Sequence, residues 1–397
     1  MRINKNQRQA MHKAAIVIGA GIVGLATARA LAIKGYKVTV LERTDRAVGA
    51  SIRNFGMIWP VGQPSGMLYE RAILSKDCWK TVCKEAGIWY DEVGSLHVAH
   101  HQLEQDVLEE FYESIKEERP CCLLSAAETI KMSPAVVTAN LKGALFSEDE
   151  MIVDPREAMT KIPIYLAKKY GVQFIWSSGV TKIFHPAVLC GKKVYEADEI
   201  FICNGADFET LFPEQFAALP ITKCKLQMMR MEAQANDWRM GPALCGGLSL
   251  LHYKSFAMAA SLPALQKKFQ NEMPDYLTWG IHVMAAQNES GQLTIGDSHE
   301  YGNSFEPFDR MFINDMILSY LHSFASFKNT RITETWNGIY AKLTTGETEV
   351  VTEPQKGVWV INGLSGAGMT MAFGLCQQII NGDYQSQRTM KKILASE

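Results

Sequence analysis

Residues 14–42 run Ala14-Ala15-Ile16-Val17-Ile18-Gly19-Ala20-Gly21-Ile22-Val23-Gly24-Leu25-Ala26-Thr27-Ala28-Arg29-Ala30-Leu31-Ala32-Ile33-Lys34-Gly35-Tyr36-Lys37-Val38-Thr39-Val40-Leu41-Glu42. Ala14 to Ile18 is a short continuous apolar run, the pattern of a strand buried on both faces of a parallel sheet. The small and apolar residues from Ile22 predict a helix that packs closely on that sheet. Lys34-Gly35 ends it, and Lys37 to Leu41 predicts a second strand closing in Glu42. This is a complete βαβ unit. Gly19 permits the tight turn, Gly21 the close approach of backbone to a pyrophosphate, and Gly24 the helix-to-sheet contact. The helix N-terminus then faces the anion. Glu42 stands where ribose hydroxyls are bonded and disfavours a 2′-phosphate, leaving FAD and NAD as candidate cofactors.

The same run, preceded by Arg2, Lys5, Arg8 and Lys13, imitates a signal peptide or a membrane span, but three glycines and Arg29 interrupt it. No other stretch is apolar enough over a sufficient length to span a bilayer. The 397 residues predict two or three domains. With 40 Lys+Arg against 42 Asp+Glu, the chain lacks the broad basic surface that nucleic-acid binding requires. Nine cysteines without a C-x-x-C motif read as reduced thiols of a cytoplasmic protein.

Outward from the βαβ unit, residues 43–66 read as an ordered loop rich in Gly, Ser, Asn and Pro. Helices are expected over 67–87, 103–118, 155–170, 309–327 and from the late glycine cluster to 380. The 103–118 helix is read as a solvated cap. Strands are expected at 95–99, 144–146, 172–176, 179–184, 199–203, 332–341 and 358–361. Stretches 223–232, 277–287 and 293–296 suggest an antiparallel sheet enclosed by parallel α/β texture at both ends.

A second glycine cluster, Asn362-Gly363-Leu364-Ser365-Gly366-Ala367-Gly368-Met369, lies between a strand and a helix. With Glu42-Arg43, Gly49-Ala50-Ser51, Val153-Asp154-Pro155 and Asn204-Gly205-Ala206, it resembles the FAD-dependent D-amino acid oxidase, glycine oxidase and sarcosine oxidase superfamily over nearly the whole chain. Residues 47–60 and 295–302 are similar to a narrower branch associated with phosphonate breakdown.

The resemblance implies a Rossmann-like FAD-binding domain (1–90, 148–218 and 330–397) and an α+β substrate domain on an antiparallel sheet (91–147 and 219–329), as in glycine oxidase. It implies a cofactor-binding set of Gly19, Ala20, Gly21, Ile22, Val23, Gly24, Glu42, Arg43, Ala50, Ser51, Asn54, Gly56, Val180, Asn204, Gly205, Gly338, Gly363, Ser365, Gly366, Ala367, Gly368, Met369 and Thr370. It also implies oxidation of a small amine, with O₂ or another acceptor taking the electrons; the charge balance and the lack of a second long apolar run imply no nucleic-acid partner and no membrane span.

Two departures bear on the substrate. Tyr340 stands where glycine and D-amino acid oxidases carry the Arg that clamps a substrate carboxylate. Thr294 stands where sarcosine-oxidase-like enzymes carry an oxygen-activating Lys. Residues 341–357 lack the Cys that anchors flavin in those relatives, so the FAD is expected to be non-covalent. A phosphonate favours cationic and N–H donors, and Arg53, Tyr253, Lys254, His299 and Lys342 are candidates to bind it. His252, His282 and Tyr340 are candidates to assist deprotonation. Met228, Met229, Met231 and Met284 read as adaptable core filling. A nicotinamide-dependent dehydrogenase remains open, as does a flavoprotein acting on a macromolecule like the superfamily's RNA-modifying relatives.

Overall fold

The strand Ala14–Ile18 pairs in parallel with Lys37–Leu41 on one side and Glu199–Ile202 on the other. These strands, like everything below, come from a computed structural model that describes residues 13–385. The sheet runs in the order Val350–Gln355, Val358–Asn362, Glu199–Ile202, Ala14–Ile18, Lys37–Leu41 and Gln173–Ile175. Its first pair is antiparallel. Val17 packs under the helices on one face, while Ile16 and Ile18 join Ile200, Ile202 and Val360 on the other. Burial on both faces is why this strand reads as an unbroken apolar run. The helices Ile22–Ile33, Met67–Ala86, Pro155–Tyr170 and Gly368–Asn381 pack against one another on the first face.

A second sheet has nine strands among the described residues and is antiparallel except where Ala243–Cys245 meets Ser95–Ala99. Its longest ladder joins Ile221–Met231 to Ile332–Leu343. The latter strand therefore belongs to the antiparallel sheet, although residues from 330 onward were assigned to the cofactor domain. Strand propensity is local, whereas sheet membership depends on a partner about a hundred positions away.

Three further expectations change. The stretch 277–287 is only partly a strand: Pro274 opens a short helix, Pro274–Thr278, Gly280 turns the chain at φ +56°, and the strand is Met284–Gln287. The 103–118 helix runs Gln102–Ile115 from a His101/Glu104 capping box, and it buries Val107, Leu108, Phe111 and Ile115 rather than lying solvated. Residues 43–66 hold two 3₁₀ turns and a short strand, Met57–Ile58, paired with Met151–Val153. Among the described residues no helix is long and apolar enough to cross a membrane. Arg2, Lys5 and Arg8 lie outside the described residues.

Glu150 lies between the strands Gly143–Ser147 and Met151–Val153 and is fully buried. It accepts hydrogen bonds from the Val61 N–H (2.8 Å) and the Ser95 hydroxyl (3.0 Å). Burial outweighs those bonds and pushes its carboxyl up to about 7. The native chain therefore holds this proton to a higher pH than the unfolded chain does. The resulting stability is complete below the ordinary carboxylate range and is lost as pH rises through about 7. Glu150→Gln is expected to flatten this decline, whose ceiling is about 1.4 kcal/mol per pH unit. Thermal melts across that window check it, and parallel slopes for variant and wild type would contradict it.

Candidate active site

The N-terminal turn is shaped by contacts that only glycine allows. Gly19 has φ +102°, and a Cβ there would lie 2.4 Å from the Cys203 carbonyl oxygen. A Cβ at Gly24 would lie 1.9 Å from the Gly19 carbonyl oxygen. The helix beginning at Ile22 has no side-chain cap at Gly21. Its Ile22 N–H donates to Ser51 Oγ at 2.9 Å, tying the 3₁₀ turn Ala50–Ile52 to the helix start. Glu42 receives the Ala20 N–H at 2.8 Å and the Thr44 hydroxyl at 2.8 Å, which aligns its carboxylate along the rim.

This turn opens into a cleft of about 550 Å³ whose walls include Gly21, Val23, Glu42, Arg43, Val180 and Asn204. Arg43 is ion-paired to Asp207 at 2.9 Å. The Asn362 side chain donates to Asn204 Oδ1 (3.0 Å) and to the Gly205 carbonyl (2.8 Å), so the two later strand ends are bound together beside the first. Gly363 and Ser365 complete the wall. A helix start with glycine at its N-cap, a glycine-lined trough and a carboxylate at the rim fit an elongated dinucleotide.

The cleft continues into a second cavity of about 510 Å³, the two sharing Ile22, Ala50, Ser51, Tyr340, Leu364 and Gly368 as walls. Both volumes fall within the roughly 300–1,000 Å³ of small-molecule and cofactor pockets. Gly338, Gly366, Ala367, Met369 and Thr370 face the second cavity. Thr370 Oγ1 also accepts the Trp59 N–H at 2.9 Å. Asn54 lines it too, while its amide donates to the Ala50 and Ser51 carbonyls at 3.0 Å and so fixes its own loop.

Three expected cofactor residues line neither space: Ala20, Gly24 and Gly56. Ala20 contributes its N–H to Glu42, and Gly24 is a packing contact. Gly56 has φ +77° and a virtual Cβ 1.9 Å from the Val153 carbonyl oxygen, so it permits a backbone crossing.

All the residues expected to touch substrate face the second cavity. His252, His282 and His299 cluster there, with ring centroids 3.8 Å apart for His252–His282, 4.8 Å for His252–His299 and 5.1 Å for His282–His299. His282 precedes its strand, and its backbone is paired with Asp297. The His299 Nδ1 bonds the Gly280 carbonyl at 2.8 Å. The Asp297 carboxylate is 3.1 Å from His282 Nε2 and 3.9 Å from His299 Nε2.

Burial dominates the electrostatics of this group. It holds His252 and His282 well below the usual imidazole range, helped by neighbouring imidazoles and Lys342. It lowers His299 to about 4 and raises Asp297 well above the carboxylate range. His252 is itself exposed, and it lines the second cavity.

Tyr340, across the cavity, is held un-ionised by burial. The Tyr253 hydroxyl donates to Met284 Sδ at 3.2 Å. The cations are anchored at the rim. Arg53 Nη1 donates to the Asn337 carbonyl at 3.1 Å, Lys342 to the Tyr301 hydroxyl at 2.8 Å, and Lys254 to the Gly346 carbonyl.

Sequence reasoning missed Asp297. It sits two residues before His299, but a single Asp at a strand end carries no signal until tertiary contacts bury it. Met228 and Met284 are core as expected, and both also line the cavity, as does Trp59. Met229 and Met231 are core. Thr294 faces away from both spaces, buried opposite Arg230 and Ala286.

Comparison with known proteins agrees with this geometry. The family described as FAD dependent oxidoreductase (DAO) matches residues 14–381. D-amino acid dehydrogenase of Helicobacter pylori is 26% identical over 251 residues, covering 50% of this chain and 61% of that protein. The tRNA 5-methylaminomethyl-2-thiouridine biosynthesis bifunctional protein MnmC of Saccharophagus degradans is 26% identical over 255 residues, covering 59% of this chain and 34% of that one. The match thus spans about three fifths of the first relative's length and about a third of the second's. Among solved structures, glycine oxidase from Bacillus cereus superposes with a TM-score of 0.74 at 16% identity, covering 94% of this chain and 96% of that one. L-proline dehydrogenase from P. horikoshii gives 0.73 at 20% identity and covers 95% of each chain. These likenesses establish the fold. With the match over residues 14–381, they identify the chain as a member of the FAD dependent oxidoreductase family.

Proposed function

We propose that this flavoprotein oxidises a small amine bearing a compact anionic group, an aminophosphonate such as N-methyl-2-aminoethylphosphonate, to an imine that water hydrolyses to phosphonoacetaldehyde and methylamine. The observation that carries this reading is the cationic rim. Arg53, Lys254 and Lys342 line the cavity against the carboxyls of Asp297 and Glu347; the resemblance in sequence, which puts Tyr340 in place of a carboxylate-clamping Arg, supports the same reading. The amine class draws support from the relatives, whose names speak of amino acids, glycine and a methylaminomethyl group.

Bound FAD would supply the acceptor for the hydride on the carbon next to nitrogen, with O₂ or another acceptor as the final electron sink. The protein's task is binding and orientation. Arg53 and Lys342 hold the anionic end, Arg53 through a planar fork suited to tetrahedral oxyanions. Trp59, Met228 and Met284 supply apolar wall that excludes water. An enclosed site near Lys342 disfavours the ammonium form of the substrate, so the amine reacts neutral with no dedicated base. Gly19, Gly21, Glu42, Ser51, Asn204 and Gly363 are proposed to hold FAD without a covalent bond. Nine unpaired cysteines suit a reducing cytoplasm.

Arg53→Ala is expected to raise KM for the aminophosphonate about 10–100-fold, the loss of a charged hydrogen bond worth about 1.5–3 kcal/mol. It should leave kcat/KM for N-methylethylamine, which has no anionic group, nearly unchanged. Steady-state kinetics on both substrates decide it, and an equal fall for both would count against an anion-binding role. A simple D-amino acid is the second reading, favoured by the Helicobacter pylori relative. Clear preference for glycine or D-alanine in a substrate panel would establish it in place of the phosphonate.

A further inference from the structure

We infer that His252, His282 and His299, together with Asp297, form a binding site for a divalent first-row transition ion at the polar end of the second cavity. Ligand nitrogens of the three imidazoles lie within 4.8 Å of one another. Hydrogen-bond bookkeeping shows what is missing among them. The Gly280 carbonyl can only accept, so the His299 Nδ1 bonded to it carries the ring's hydrogen, and Nε2 of the neutral ring presents a lone pair. That lone pair stands 3.9 Å from Asp297 Oδ2, beyond hydrogen-bond reach, so neither atom satisfies the other. Asp297 Oδ1 is 3.1 Å from His282 Nε2 yet makes no hydrogen bond, although Asp297 is only 6% exposed. Buried polar atoms are rarely left without a partner. A cation between these atoms supplies one.

The spacing favours a coordinated ion over an ammonium. Ligands bonded to zinc at about 2.0–2.2 Å stand roughly 3.0–3.6 Å apart when adjacent, which accommodates the 3.1 Å separation of His282 Nε2 and Asp297 Oδ1. Acceptors around an ammonium stand about 2.7–3.2 Å from its nitrogen and spread further. The more distant imidazole needs to close by about 1 Å to reach the same ion. A carbonyl holding the far nitrogen of His299 is the outer support that metal-ligating histidines have. Imidazoles with one carboxylate select zinc, iron, copper or nickel over magnesium or calcium.

The test is a titration of Zn(II) into FAD-loaded, chelator-treated protein by isothermal calorimetry, with zinc K-edge absorption on the product. One ion per chain is expected, with imidazole scattering in the edge spectrum. His282→Ala and His299→Ala should each weaken binding by more than the roughly 10–100-fold that losing an outer partner costs. His322→Ala, on the exposed surface, should leave it unchanged. No saturable binding by the wild type, no imidazole scattering, or affinity unaltered in both cavity variants would overturn the site. If those variants fail to retain flavin, the wild-type stoichiometry and edge spectrum decide alone. Amine-dependent bleaching of the flavin is scored separately. Zinc bound without bleaching sinks the amine reading and keeps the ion site, whereas bleaching without zinc does the reverse.

Discussion

Gly24→Ala is expected to purify with little or no flavin. The added Cβ would stand 1.9 Å from the Gly19 carbonyl oxygen and 3.0 Å from its carbonyl carbon. Both are backbone atoms of the turn that opens the cofactor cleft, so no rotamer change relieves the clash. Either the helix start or the turn must move, and that movement displaces the Ile22 N–H from Ser51 and the Ala20 N–H from Glu42. Overpacking against mobile side chains costs about 1–3 kcal/mol. Against backbone, the upper end is the reasonable expectation, which corresponds to roughly 100-fold weaker FAD binding. Fluorescence titration of the apoprotein with FAD measures this directly. Gly302→Ala provides the control, because its nearest neighbour would be the Ser304 carbonyl oxygen at an ordinary 3.4 Å. Unchanged flavin content in Gly24→Ala would show that the turn is not the cofactor cradle.

Glu349→Ala is expected to lower stability by about 3–5 kcal/mol, the cost of leaving one half of a buried ion pair alone. Arg71 and Glu349 are 2.8 Å apart, with side chains 0% and 3% exposed. The guanidinium also donates to Gln378 at 2.7 Å and faces the Tyr384 ring, and its Nη2 already lacks a partner. Removing the carboxylate would strand a full charge between the helices Met67–Ala86 and Gly368–Asn381, the latter carrying the late glycine cluster at its start. The apparent melting temperature should fall by roughly 4–6 °C. The double variant Arg71→Met/Glu349→Leu should recover much of the loss, because apolar replacement removes both desolvation costs. Equal melting of Glu349→Ala and wild type would mean that water reaches the pair in solution.

The parts of the fold legible in sequence were those whose causes are local. The βαβ unit announces itself because the turn needs glycine at fixed positions and the strand is apolar on both faces. Local reading failed where a neighbour remote in sequence decides the outcome. Ile332–Leu343 reads as a strand in any sheet, and only its ladder with Ile221–Met231 assigns it to the antiparallel one.

The site divides in the same way. His252, His282 and His299 were visible as polar residues in apolar surroundings, but nothing in their spacing says that they meet. The Gly280 turn and the backbone pairing of His282 with Asp297 bring them together. Asp297, within the 295–302 stretch, carried no site role of its own for the same reason, and the second face of the core residues Met228 and Met284 was hidden because a cavity wall and a core are equally apolar along a strand.

Anaerobic mixing of the purified yellow protein with N-methyl-2-aminoethylphosphonate, beside sarcosine, glycine and D-alanine, tests the central claim most directly. The flavin absorbance should bleach with the aminophosphonate at a rate and final extent well above those with the amino acids, with phosphonoacetaldehyde appearing in proportion. Full bleaching by glycine or D-alanine and none by the aminophosphonate would contradict it.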